Sequence, residues 1–146
     1  MMKTIGWSIL MVVVFSVTSC HKTAPIDPTS DPLKEHTQDL QQARTWLLGK
    51  WKLVKVSAMI PNPAVPAVEL SIDENQISLI QGGIQRDKVD YEVVETTYGL
   101  LIKTNAQPRE DNWYIRNPGL YINENRMFLD LGVATDGPGY EFVKVN

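Results

Sequence analysis

From Trp51 to Val145 apolar and polar residues alternate in short runs, and each run is closed by a turn signal. A period of two puts residues i, i+2 and i+4 on one face, which describes strands buried on one side only. The turns are chemically explicit: Asp73-Glu74-Asn75, Gly82-Gly83, Tyr98-Gly99, Pro118-Gly119, Glu124-Asn125 and Asp136-Gly137-Pro138-Gly139. Most intervals are about ten residues, the spacing of an antiparallel meander, and no helical pattern intervenes to make βαβ units.

The first strand opens on Trp51. Trp51 and Leu53 share one face, whereas Val54, Val56 and Ala58 take the other. That slip predicts a bulge or sharp bend, the device by which a sheet curls round to close on itself. Pro61-Asn62-Pro63-Ala64-Val65-Pro66 cannot sustain a ladder and reads as a loop. Further strands are expected near 67–72, 76–81, 87–95, 99–104, 112–117, 119–124, 126–132 and 140–145. If Pro118-Gly119 only kinks one strand, the count falls from nine to eight. Before them, Leu33, Leu40, Ala43 and Leu47 recur at helical spacing, with Asp31 or Thr37 as cap, Pro32 at a first helical position and Gly49 as terminator. The expected fold class is therefore all-β: an antiparallel up-and-down barrel of eight or nine strands with a short N-terminal helix.

The first residues read as an address. Lys3 precedes an apolar run from Ile5 to Val17, too short for a permanent span of about 20 residues and suited to a signal peptide. It ends in Val17-Thr18-Ser19-Cys20, which resembles the bacterial lipobox. That resemblance implies cleavage before Cys20, thioether lipidation of its sulfur and acylation of its new amino group, a firm membrane anchor. His21 follows, with no aspartate to suggest inner-membrane retention, so a lipid-anchored place in the cell envelope, at the outer membrane, is expected. The division is 1–19 lipoprotein signal peptide, 20–36 lipidated cysteine and proline-rich linker, and 37–146 barrel domain. His21 and His36 are read as solvated linker residues.

Composition narrows the function classes. With 14 Lys+Arg against 17 Asp+Glu, the net charge is −3 and no basic cluster forms, so nucleic acid is not an expected partner. Removal of Lys3 with the leader makes the mature chain one charge more acidic. Residues 37–146 contain neither histidine nor cysteine, which removes the usual nucleophilic triads and the zinc and copper ligand sets. No glycine-rich phosphate loop stands between a strand and a helix. Glu92, Glu95, Asp130 and Glu141 read as the solvated outer face of strands rather than a glycosidase pair. Asp73-Glu74-Asn75 and Glu110-Asp111-Asn112 read as turns rather than calcium loops. No enzyme, metal or cofactor is expected.

The stretch Leu47-Leu48-Gly49-Lys50-Trp51, a helical turn leading into Gly-x-Trp and then a meander, resembles the lipocalins and the wider calycin superfamily. In that family the tryptophan plugs the closed end of the barrel. The resemblance implies that Gly49 and Trp51 form the plug over Leu47 and Leu48, with Lys144 stacking on Trp51 where arginine is usual. A Thr-Asp-Tyr motif and a terminal helix, both family features, are missing. Barrels of eight strands either fill themselves or hold one small ligand. An open lumen would be lined by Tyr91, Trp113, Met127 and Tyr140. The expected function is that of a membrane-anchored module binding a small apolar ligand in its lumen. The alternative is an interaction or inhibitor module, meeting another envelope protein through loops such as 60–67 and 104–112.

Overall fold

The computed structural model describes residues 31–109 and 113–145. The leader, Cys20 and the first part of the proline-rich linker lie outside the described residues. Eight antiparallel strands, each paired with the next and the last with the first, close a barrel. In order these are β1 (Gly49–Ser57), β2 (Val68–Ile72), β3 (Gln76–Gln81), β4 (Ile84–Thr96), β5 (Gly99–Thr104), β6 (Gly119–Ile122), β7 (Arg126–Asp130) and β8 (Gly139–Val145). One helix, α1 (Leu40–Leu47), precedes them and lies across the end where β1 begins. Alternation along the strands delivers one cluster of buried side chains to the interior, from Leu70 and Leu79 on one wall to Ile102, Ile122 and Phe142 on the other.

The bulge expected after Leu53 is present: Leu53 faces Phe142, but Lys55, not Val54, faces Glu141. Val54 therefore sits at the bulge and is exposed, and Val56 turns back to face Tyr140 and pack on the core. The two valines do not share a face, because the extra residue restores the inward phase beyond it. Gly82 and Gly83 both adopt positive φ (59° and 79°) in a two-residue turn, with Gln81 paired to Ile84. Pairing thus resumes at once, and β4 starts three residues before the apolar alternation does.

Of the strand expected over 112–117, residues 113–117 are not a strand. Trp113–Ile115 is a single 3₁₀ turn inside the β5–β6 connection, so the barrel has eight strands and not nine. The helix also starts later than either expected cap. Asp39 is its N-cap, accepting from the Gln42 amide at 2.7 Å, while the Thr37 hydroxyl accepts from the Asp39 amide. Asp31 instead closes a separate turn, its carbonyl accepting from the Lys34 and Glu35 amides, and Leu33 is exposed.

The segment entering the domain is strapped to the barrel. The Thr37 amide donates to the Ile122 carbonyl and the Asn123 side chain donates to the Glu35 carbonyl. His36 is consequently half-buried, its ring meeting Tyr121 edge-on at 4.9 Å, and it is not the solvated linker residue that its sequence context suggests.

Candidate functional site

Both ends of the interior are closed by the chain's own side chains. At the helix end, α1 stops without a left-handed cap, since Leu48 is extended (ψ 137°). Its last carbonyls need donors from elsewhere. The Trp51 indole Nε1 donates to the Leu47 carbonyl at 2.8 Å, and Lys144 Nζ donates to the Trp46 carbonyl at 2.7 Å. Lys144 Nζ also stands 5.1 Å from the Trp51 ring centroid, within cation–π range. Gly49 makes this crossing possible. Its φ of +122° suits glycine, and an added Cβ would press on Lys144 Cε at 3.2 Å. Trp51 and Leu47 are fully buried, and Leu48 turns outward. Burial pushes the Lys144 ammonium below the ordinary lysine value, opposed by the Glu124 carboxylate.

At the opposite end the 3₁₀ turn of the β5–β6 connection folds inward. Tyr114 and Ile115 are buried in the core cluster, and the Tyr114 ring meets Tyr140 edge-on at 4.6 Å. Three bonds tie this turn to β5: the Thr104 hydroxyl donates to the Ile115 carbonyl (2.8 Å), the Thr104 amide to Asn117 Oδ1 (2.8 Å), and the Ile102 amide to the Pro118 carbonyl (2.9 Å). Burial raises both the Tyr114 and Tyr140 phenols, and Tyr114 raises Tyr140 further.

Of the expected lining residues, Met127 and Tyr140 are fully buried members of that cluster. Tyr91 is half-buried and packs on the edge of the core. Its hydroxyl donates to the Asp73 carbonyl at 2.7 Å, and burial, then the Asp73 charge, pushes its pKa up to about 12. It lines an outer crevice of about 380 Å3 beneath α1, beside Arg44 and Glu74. Trp113 opens the 3₁₀ turn, but its side chain lies outside the described residues. Ile115 is interior, as its place on the apolar face of the expected 112–117 strand implied, but Tyr114 was not legible as interior, because alternation assigns adjacent residues to opposite faces and a 3₁₀ turn does not.

Two outer features complete the surface. A groove of about 550 Å3 runs along the β5–β6 seam, lined by residues that include Leu101, Tyr121 and Arg116. At the end away from α1, Met59 (74% exposed), Ile60 (65%) and Ile84 (58%) lie bare, and a bond from the Gly82 amide to the Ala67 carbonyl draws the β3–β4 turn against the end of the β1–β2 loop. Among the described residues no group of three or more His, Cys, Asp or Glu gathers as a metal site would. No family model, curated protein or solved structure matches the chain, so its closed eight-stranded barrel is established by its own geometry alone.

Proposed function

We propose that this chain is a lipid-anchored, lipocalin-like module of the bacterial cell envelope that uses its barrel as a scaffold and meets a partner protein through its exposed loops. One observation carries the reading: the interior is occupied by the chain's own side chains, with Trp51 and Lys144 closing one end and Tyr114 and Ile115 the other. A barrel of this size has room for a filling or for a small ligand, and filling leaves the surface to do the binding. The strap at Glu35–Thr37 holds the tether at the helix end, so a lipid on Cys20 places the opposite loops away from the membrane. Those loops carry Met59, Ile60, Val65 and Ile84 in solvent, the type of apolar surface that protein interfaces cover. The proposed module makes and breaks no bonds.

Photo-crosslinking in cells tests this. A crosslinking residue at Ile60 or Ile84 should yield one discrete adduct that an Ile60→Asp substitution in the Ile84-labelled chain removes, while the same residue at Glu92 yields none. Equal adducts from all three positions would overturn it.

The second reading, an apolar ligand carried in the lumen, rests on the β5–β6 turn. Tyr114 and Ile115 are held by a loop tied to β5 through three hydrogen bonds, and a ligand would take their place if that loop swung out.

A further inference from the structure

The β5–β6 seam is the weakest in the barrel by pairing. Only Leu100 with Leu120 and Leu101 with Gly119 are in register, against six pairs between β4 and β5. Beyond Leu101, β5 is held by the loop segment Ile115–Pro118 instead of by a strand. The outer face of this seam is the groove of about 550 Å3, within the size range of small-molecule sites.

We infer that this groove binds a small aryl carboxylate, a flat apolar body with one anionic end. The floor is apolar, made by the outward-facing, half-buried Leu101 and Tyr121, with Leu131, half-buried and packed against the core, beside them. It is low at Gly119, which lines it without a side chain; a Cβ there would meet only Asp130, at 3.5 Å. Tyr121 is fixed before any ligand arrives, braced by the His36 edge at 4.9 Å and by Phe128 at 6.2 Å. Tyr98, at the rim, is 95% exposed, an aromatic ring left in water. Such rings give a flat ligand surfaces to stack against.

The charge pattern selects the anionic end. Among the described residues Arg116 is the one Lys or Arg lining the groove, and it has neither an ion pair nor a hydrogen bond among them. Its neighbour Asn117 is fixed by the bond to the Thr104 amide, which sets the backbone from which the guanidinium projects. Among the described residues, Asp130 is the one carboxylate in the lining. Its Oδ1 accepts from the Gly132 and Val133 amides, both at 2.8 Å, so its charge is engaged by the β7–β8 loop. A planar guanidinium with no partner suits a carboxylate. The site lies outside the interior and away from the loops of the proposed protein interface, so it stands or falls separately from that reading.

Calorimetric titration of the full chain in nonionic detergent, with detergent alone subtracted, tests it with indole-3-acetate and its neutral isostere indole-3-acetamide. The carboxylate should saturate one site, and the amide should bind about tenfold more weakly. Arg116→Gln should weaken the carboxylate about tenfold, leave the amide unchanged and so erase the preference. Gly119→Ile should abolish binding of both by filling the floor. If that variant fails to fold, Arg116→Gln and Tyr98→Ala, both at exposed positions, carry the test, the latter weakening both ligands. Absence of saturable binding at millimolar ligand, equal affinity for acid and amide, or a preference that survives Arg116→Gln would overturn the inference.

Discussion

Replacing Lys144 by methionine keeps the stem that crosses Gly49 and removes the ammonium. Two interactions disappear: the bond from Nζ to the Trp46 carbonyl at 2.7 Å, and the cation over the Trp51 ring at 5.1 Å. A hydrogen bond from a charged donor contributes about 1.5–3 kcal/mol, and a half-shielded cation–π contact about 1 kcal/mol. The desolvation that lowers the Lys144 pKa offsets part of both. The net expectation is a loss of about 2 kcal/mol. The loss falls where α1 can least absorb it, because a helix of eight residues has little stability of its own and depends on this packing. Urea unfolding of residues 31–146, followed by tryptophan fluorescence and circular dichroism, measures it, and melting should shift down by about 8 °C. Lys144→Arg, which keeps a cation and a donor, should lose about 1 kcal/mol or less. A Lys144→Met protein within about 0.5 kcal/mol of the parent, or an arginine variant as damaged as the methionine one, would refute the role given to this contact.

Two other expectations follow from close contacts and buried phenols. A Cβ on Gly139 would fall 2.2 Å from Phe128 Cζ and 2.8 Å from Val133 Cγ2, so Gly139→Ala should cost about 2–3 kcal/mol, and less than about 1 kcal/mol in a Phe128→Leu background that lacks Cζ; a double-mutant cycle by urea unfolding with equal cost in both backgrounds would contradict this. The phenols of Tyr91, Tyr114 and Tyr140 are all raised above 10, so the native state keeps protons that the unfolded chain releases. Their contribution is complete below pH 10 and is lost as pH climbs through the folded values, about 12 for Tyr91. Lys144, lowered from 10.5, acts oppositely and adds stability as pH rises toward 10.5, but it is one group against three. In a chain carrying Tyr98→Phe and Tyr121→Phe, which leaves only those three of its five tyrosines, near-ultraviolet phenolate absorbance should therefore appear together with loss of the fold; phenolate forming at the ordinary tyrosine value with the barrel intact would contradict the burial.

Much of the architecture was legible because strand faces and turns are written locally. The inward sets Leu70-Ile72, Leu100-Ile102 and Tyr140-Phe142 follow from the period of two, and the bulge at Val54 from one slip in that period. Segment 112–117 misled because Trp113 and Ile115 sit two apart as strand residues would, although neighbours Tyr114 and Ile115 are both buried. Asn117, at φ +46°, turns the chain before Pro118 and ends any ladder there. The strap was invisible for a different reason. Its bonds run through the backbone at Thr37 and Glu35 to partners near residue 123, and backbone groups carry no sequence signature. The groove shared that limit, since it forms where the neighbouring strands β5, β6 and β7 meet the residues before α1, and at Gly119, whose meaning is the absence of a side chain. Gly49 stands where the sequence placed a terminator, directly after the C-cap Leu48 and with positive φ (+122°); the sequence did not show that it also opens β1 and clears Lys144.

The measurement closest to the central claim is native mass spectrometry of residues 31–146 purified gently from the extract of their own cells. An interior filled by its own side chains should give the bare protein mass, unchanged after exposure to fatty acids. An added mass that vanishes on denaturation and survives Arg116→Gln, but is lost when Tyr140 is replaced, would place a ligand in the lumen and contradict it.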